Sequence, residues 1–165
     1  MLTANLNTVE LRDSKSPTDD SLQVRVTFPV TAFQGAADSA VVYFEVEPGK
    51  RLGRHTDSQE EILYILAGQG DAEVNDEWAS VVDGTLVVVP AQAPHQIRNT
   101  GTSTLKVLGF FAGSSIVSIF EESLFPGTDQ VVFVNGPNGM EIFNASRFVP
   151  GAPSGVAEPE LTVVA

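Results

Sequence analysis

Between residues 22 and 120 the chain is a succession of short apolar or alternating runs, each closed by glycine, proline or asparagine. That period of two constrains the fold more than any other feature. Leu22, Val24, Val26 and Phe28 share one face of a first run, and Val42, Phe44 and Val46 one face of a second. Pro48-Gly49 turns the chain into residues 52–57, then 61–66 follow, and Ala67-Gly68-Gln69-Gly70 turns it again. Asn75-Asp76 marks a hairpin tip. Residues 85–89 are nearly all apolar, which predicts a strand covered on both faces. Residues 95–99, 105–111 and 116–120 complete the series. Strands at this spacing, in a chain rich in valine and poor in lysine, predict an all-β sandwich or barrel in one domain.

The two ends are expected to differ from this body. Residues 1–20 are polar, contain the loop-forming Asp13-Ser14-Lys15-Ser16-Pro17, and are expected to be a flexible N-terminal arm. Residues 131–134 suggest one more strand, 135–139 a strong turn, and 140–148 a short helix or edge strand. The domain is thus drawn at 21–148, with 149–165, which carries three prolines and no periodicity, as a C-terminal tail able to wrap a partner subunit. A formal charge of -12 without a basic stripe argues against binding a nucleic-acid backbone. No apolar run approaches the ~20 residues of a membrane helix, and residues 1–20 hold no signal-peptide core. A cytoplasmic location is therefore expected. The absence of cysteine removes disulfides, thiolate ligands and thiol nucleophiles together.

The chain has two histidines, His55 and His95, each in a strand-like segment near carboxylates. This is the composition of a first-row transition-metal site. The frame around them is regular. Gly49 is followed after five residues by His55-Thr56-Asp57, after three more by Glu61, and after six more by Gly68. Gly84 is followed after five residues by Pro90-Ala91-Gln92, after two more by His95, and after three more by Asn99. In this order and spacing the two cassettes resemble the paired motifs of the cupin family, over residues 41–111. Two positions depart from the family pattern. Asp57 stands where a second histidine is usual, and Gln92 where a turn glycine is usual.

The resemblance implies a small jelly-roll β-barrel with one divalent metal in its mouth, held by His55, Glu61 and His95. Asp57 would be a fourth ligand, or a base that accepts a proton from bound substrate. Asp57 and Glu61 are thus the candidate catalytic residues. Strand parity agrees. His55 and Asp57 are two apart and share a face; His95 shares its side with Ile97 and Asn99, and Glu61 with Leu63 and Ile65. Two imidazoles and two carboxylates would make a divalent centre neutral and favour Fe or Mn, with Ni or Zn also open. The expected function is a metal-dependent dioxygenase, similar to quercetinase-like cupins, acting on a small aromatic or enolisable substrate. Alternatives are a metal-dependent Lewis-acid enzyme (isomerase, lyase or cyclase), a non-catalytic ligand-binding cupin, and a metal-free epimerase using a His–Asp pair. A 2-oxoglutarate oxygenase would need a basic partner, for which Arg98 and Lys106 are the nearby residues.

Val42, Phe44, Leu63, Ile65, Ile97 and Phe110 or Phe111 are expected to face inward around the metal. Arg54 points the other way by parity and is taken as a rim or interface charge. Tyr43, Tyr64 and Trp78 fall outside the inward register, where they could cover a second subunit of a homodimer.

Overall fold

The structure is a computed structural model that describes residues 1, 3–125, 128 and 130–144. The expected tail at 149–165 and the end of the 140–148 segment lie outside the described residues. Among the described residues thirteen strands form two sheets: β1 (Arg12–Lys15), β2 (Gln23–Val30), β3 (Ala40–Val46), β4 (Arg51–Asp57), β5 (Glu61–Ala67), β6 (Gln69–Val74), β7 (Glu77–Val82), β8 (Leu86–Val89), β9 (His95–Asn99), β10 (Leu105–Phe111), β11 (Ile116–Phe120), β12 (Val131–Gly136) and β13 (Gly139–Asn144). One sheet runs β1-β2-β3-β10-β5-β8, the other β13-β12-β11-β4-β9-β6-β7. All strand pairs are antiparallel. This is the jelly-roll arrangement expected from the sequence, two sheets facing across one core.

Alternation decides what the core contains. Val42, Phe44 and Val46 of β3, Leu63 and Ile65 of β5, Ile97 of β9 and Val107 and Phe111 of β10 are all buried in one cluster. A second cluster of Leu22, Phe120, Leu124 and Val131 closes the end of the sandwich nearest β11 and β12. Burying side chains of this size is worth about 1.5–3 kcal/mol each, which is the main term holding the sheets together. The motif glycines Gly49, Gly68 and Gly84 all adopt positive φ (75°, 89° and 84°). At Gly68 a Cβ would also lie 2.8 Å from the carbonyl oxygen of Thr104, so only glycine fits there. Gln92 takes φ 64° without being glycine, and its N–H donates to the Asp57 carbonyl at 2.8 Å. Asn99 clamps a loop: its Nδ2 donates to Val46 O and Ser103 O, and its Oδ1 accepts from the Gly101 N–H.

Several expectations need correction. The arm is not wholly irregular, because Arg12–Lys15 pairs with β2 and buries Ser14 and Ser16. Strand β8 ends its sheet and is not covered on both faces: Leu86 and Val88 lie on the open outer face, 64% and 57% exposed, and only Val89 is buried. Asn135 belongs to β12 rather than to a turn, while the segment after it is strand β13 at the edge of its sheet, one of the two forms expected for it. Of the two phenylalanines offered for the inward face, it is Phe111 that faces the core, and Phe110 is exposed. Tyr43 lies on the outer face but is covered by its own chain, with its hydroxyl donating to Glu45. Arg54 pairs within the chain to Glu73, Asp76 and Glu121. Trp78 is half exposed under the Arg98 guanidinium.

Candidate metal centre

Three of the four residues come from one sheet. His55 and His95 sit directly opposite each other on β4 and β9, a pairing that places Cβ atoms about 5 Å apart. The register that does this depends on a bulge. Leu52 pairs with Ile97, yet His55, three residues on, pairs with His95, two residues back. Without the extra residue Arg54 would oppose His95; the bulge turns His55 inward instead. Asp57 lies two residues beyond His55 and so shares its face. Glu61 comes from the other sheet, at the start of β5, opposite Phe111.

The four side chains are almost fully buried. Asp57 Oδ2 is 3.6 Å from His55 Nε2 and 3.3 Å from His95 Nε2. Glu61 Oε2 is 3.6 Å from His95 Nε2. Each imidazole is anchored through its other nitrogen: His55 Nδ1 to Gly53 O at 2.7 Å and His95 Nδ1 to Ala93 O at 2.9 Å. Those carbonyls accept, so the Nδ1 atoms carry protons and each Nε2 is turned toward the centre, where its lone pair would serve a cation. Phe120 stacks on His55 at 4.4 Å, fixing the ring plane. Ser118, paired with Asp57 across β11 and β4, donates its hydroxyl to Oδ1 at 2.5 Å, leaving Oδ2 for the centre.

The fit to a cation can be tested on these atoms. Asp57 Oδ2 and His95 Nε2 are buried, face each other at 3.3 Å and have no hydrogen-bond partner outside the cluster. His55, Asp57 and His95 each present one ligand atom within 4.8 Å of the others. Two nitrogens and one or two carboxylate oxygens converging on a point suit a divalent first-row ion. Glu61 stands beside this triad as a fourth donor.

Without a metal the cluster partitions its protons unevenly. Burial, reinforced by His95, pushes His55 down to about 4. Burial opposes the charge on His95 too, but Asp57 and Glu61 outweigh it and lift His95 to about 10. Burial works against ionised Asp57, yet the two imidazoles and Ser118 hold its carboxyl below the usual range. Burial pushes Glu61 up to about 7, with the Asp57 charge acting in the same direction and His95 against it. Displacing these protons is what a divalent ion would do.

Above the four residues opens a cavity of about 710 Å³. Phe28, Phe44 and Phe111 line it from one sheet, and Phe120, Phe125 and Phe133 line it from the other side. Leu63 and Ile97 also line it, as the sequence predicted, while Ile65 lies deeper in the core. Arg98 and Lys106 are spent elsewhere, on Asp71 and Glu45, and neither lines the cavity. Sequence reasoning missed Ser118, Phe120 and Gly109. A Cβ at Gly109 would lie 2.1 Å from Glu61 Oε1, so the bare glycine is the seat of that carboxylate. A glycine inside an otherwise apolar strand was the available signal.

Comparison with known proteins agrees with this geometry. The model of the family described as "Cupin domain" matches residues 42–111. An uncharacterized protein of Methanocaldococcus jannaschii is 30% identical over 91 residues, covering 55% of this chain and 73% of that protein. A sugar phosphate isomerase from a cupin superfamily, of Silicibacter pomeroyi, superposes with a TM-score of 0.59 at 16% identity, covering 92% of this chain and 97% of its own. A predicted oxalate decarboxylase of Thermotoga maritima does so with a TM-score of 0.58 at 20% identity, covering 68% of this chain and 99% of its own. At these identities the two structures establish the fold they share with this chain.

Proposed function

Because the chain belongs to the cupin superfamily, we propose that it is a metal-dependent enzyme, an oxygenase of a small aromatic or enolisable substrate. The observation that carries the reading is the buried convergence of Asp57 Oδ2 and His95 Nε2, which face only the other members of the cluster, with both imidazoles anchored through Nδ1. His55, Asp57 and His95 would hold the ion, with Glu61 as fourth ligand or proton carrier. The ion would supply Lewis acidity toward a substrate oxygen and a binding position for O₂. With two imidazoles and two carboxylates the hard oxygen donors favour Mn or Fe, with Ni or Zn as less suited occupants.

This chain's own residues would do the rest. The phenylalanine walls exclude water and hold a flat, apolar body. Glu61, pressed toward neutrality by burial, accepts or returns a substrate proton at its carboxylate. Arg12, exposed, is the one lysine or arginine among the lining residues. A cavity of that size and character suits neither a sugar phosphate nor oxalate, whose charges call for several fixed cations. A second reading, Lewis-acid isomerisation or cyclisation without O₂, is favoured by the position of Glu61 outside the compact His55–Asp57–His95 triad.

The test is metal content, with oxygen consumption across a panel of enolisable and phenolic compounds. One divalent ion per chain, lost in the His55→Ala/His95→Ala double variant, is the expected result. Stoichiometric metal in that variant would sink the metal reading; turnover without oxygen uptake would select the Lewis-acid one. We also propose a homodimer. The β8 edge exposes Ile62, Leu86, Val88 and Phe110 on one outer face, apolar area that a second copy would bury. Light scattering at micromolar concentration should give the mass of two chains.

A further inference from the structure

We infer that Arg54 is a positioning residue for His55: from the outer face of its sheet it locks the β4 bulge that turns this imidazole toward the centre. What His55 does once it is held there rests on the metal-enzyme reading above.

A bulge has to be held in place, because an extra residue can be taken up at more than one point along a strand. In β4 it falls between Leu52 and His55. Moved past His55, it would leave Arg54 opposite His95 and turn the arginine into the cavity. Inside the sandwich the bulge serves His55 twice. It sets the ring opposite His95, and the Gly53 carbonyl accepts the Nδ1 proton at 2.7 Å. Gly53 permits the close approach of Leu22, since a Cβ there would lie 2.7 Å from Leu22 Cδ1. A glycine carries nothing, however, that would fix the bulge.

Arg54 supplies what Gly53 lacks. Its Nη1 donates to Glu73 Oε1 at 2.9 Å and lies 2.8 Å from Asp76 Oδ1, and its Nε faces Glu121 Oε1 at 3.3 Å. Glu73 is on β6, two strands from β4, so the pair spans about 9–10 Å across the outside of β9. The crossing runs behind the histidines: Glu73 is in register with Gln96, the neighbour of His95, and accepts the Gln96 amide as well. The Arg54 carbonyl accepts the Glu121 N–H at 3.0 Å, which ties the same residue to the chain leaving β11. Most ion pairs on an outer face contribute little, because water screens both partners. This one differs, since the Glu73 side chain is 4% exposed, against 22% for Asp71 under the neighbouring Arg98. A buried carboxylate left without its cation is strongly destabilising. Turning Arg54 inward would strand Glu73 in that state, so the pull on Arg54 from outside keeps His55 on the inside.

The experiment compares Arg54→Met, which keeps a stem and loses the charge, with Arg98→Met, which removes the neighbouring pair to Asp71 and leaves the bulge alone. Because the chain has two histidines, nitrogen-correlated NMR of the chelator-treated protein resolves each ring, and His55→Ala assigns the signals. The His55 Nδ1 proton should be protected from exchange with water in the parent and in Arg98→Met, and should lose that protection in Arg54→Met. Co²⁺ titration, followed by visible absorption, should show affinity about 10–100-fold weaker in Arg54→Met and close to the parent's in Arg98→Met. In a His55→Ala background the Arg54 substitution should cost no further affinity, since the ring it positions is gone. If Arg54→Met fails to fold because Glu73 is left uncompensated, Arg54→Met/Glu73→Gln removes both charges and should show the same two losses. An unprotected His55 proton in the parent, or a protected one in either Arg54 variant, would overturn the proposal. So would an equal loss of Co²⁺ affinity in Arg98→Met, or an undiminished Arg54 penalty without His55. A parent that binds no Co²⁺ would sink the metal reading, and the His55 proton would then decide the role of Arg54 by itself.

Discussion

Gly109 offers the sharpest test of how the site is built. Its missing side chain makes room for Glu61: a Cβ there would sit 2.1 Å from Glu61 Oε1 and 2.6 Å from Val42 Cγ1. Gly109→Ala therefore requires the carboxylate to move by roughly 1 Å in a packed interior that has no slack. Forced overpacking of this kind costs about 1–3 kcal/mol, which for a chain of this size lowers Tm by roughly 2–10 °C. The displaced Glu61 would also leave its position 3.6 Å from His95 Nε2, so metal affinity should fall along with stability. The decisive assay is a double-mutant cycle with Glu61→Ala, read by thermal unfolding and metal titration. Removing the Glu61 carboxylate removes the larger clash, so Gly109→Ala should cost at least about 0.5 kcal/mol less in that background, beyond the range in which independent sites add. Additive penalties, or a Gly109→Ala protein with the parent's metal affinity, would refute the reasoning.

Two further perturbations follow from the same geometry. Ser118→Ala frees Asp57 Oδ1 and should weaken metal retention about 10–100-fold, while Ser118→Thr keeps the hydroxyl and most of the affinity; competition with a chelator measures both. In the metal-free protein, His95 is raised from 6.5 to about 10, so the folded state binds more protons than the unfolded one between those values. Its contribution is fully present below pH 6.5 and is lost as pH rises toward about 10; the Tm of chelator-treated protein should fall across that window, and a flat profile would contradict it. The raised Glu61, about 7 against 4.5, acts in the same sense at lower pH, and the lowered His55, about 4 against 6.5, acts against it there, so the clean signal lies above pH 6.5.

The strands and the cassettes were legible because both depend on local pattern. Period two gave the inward faces of β3, β5 and β9, and the positive-φ glycines fell where their spacing put them. What escaped depends on long-range pairing. Residues 85–89 carry the composition of a central strand, but composition does not say that β8 ends its sheet. The β4 bulge cannot be seen in sequence, although without it Arg54 would oppose His95. Asn135 stands beside Gly136-Pro137-Asn138-Gly139 and carries the chemistry of a turn; pairing with β11 makes it a strand residue instead. Ser118 is an ordinary serine until β11 is laid beside β4.

That last pairing bears on why an aspartate can stand where the family pattern carries histidine. Aspartate is shorter than histidine, and a carboxylate has two equivalent oxygens free to rotate toward or away from an ion. Ser118 removes the ambiguity by holding Oδ1, and the stacked Phe120 and the two anchored imidazoles keep their own ligand atoms still. The substitution also changes the charge. A divalent ion among two neutral imidazoles and two carboxylates carries no net charge, whereas three imidazoles and one carboxylate leave it positive. A neutral centre exerts little pull on a distant anion. A substrate held there must be recognised by shape and apolar contact, which is what the phenylalanine walls would supply. Asp57→His, by restoring the positive charge, should therefore raise the affinity for anionic inhibitors such as azide relative to the parent, and an unchanged azide affinity in a metal-loaded variant would show that charge at this position does not set the selectivity.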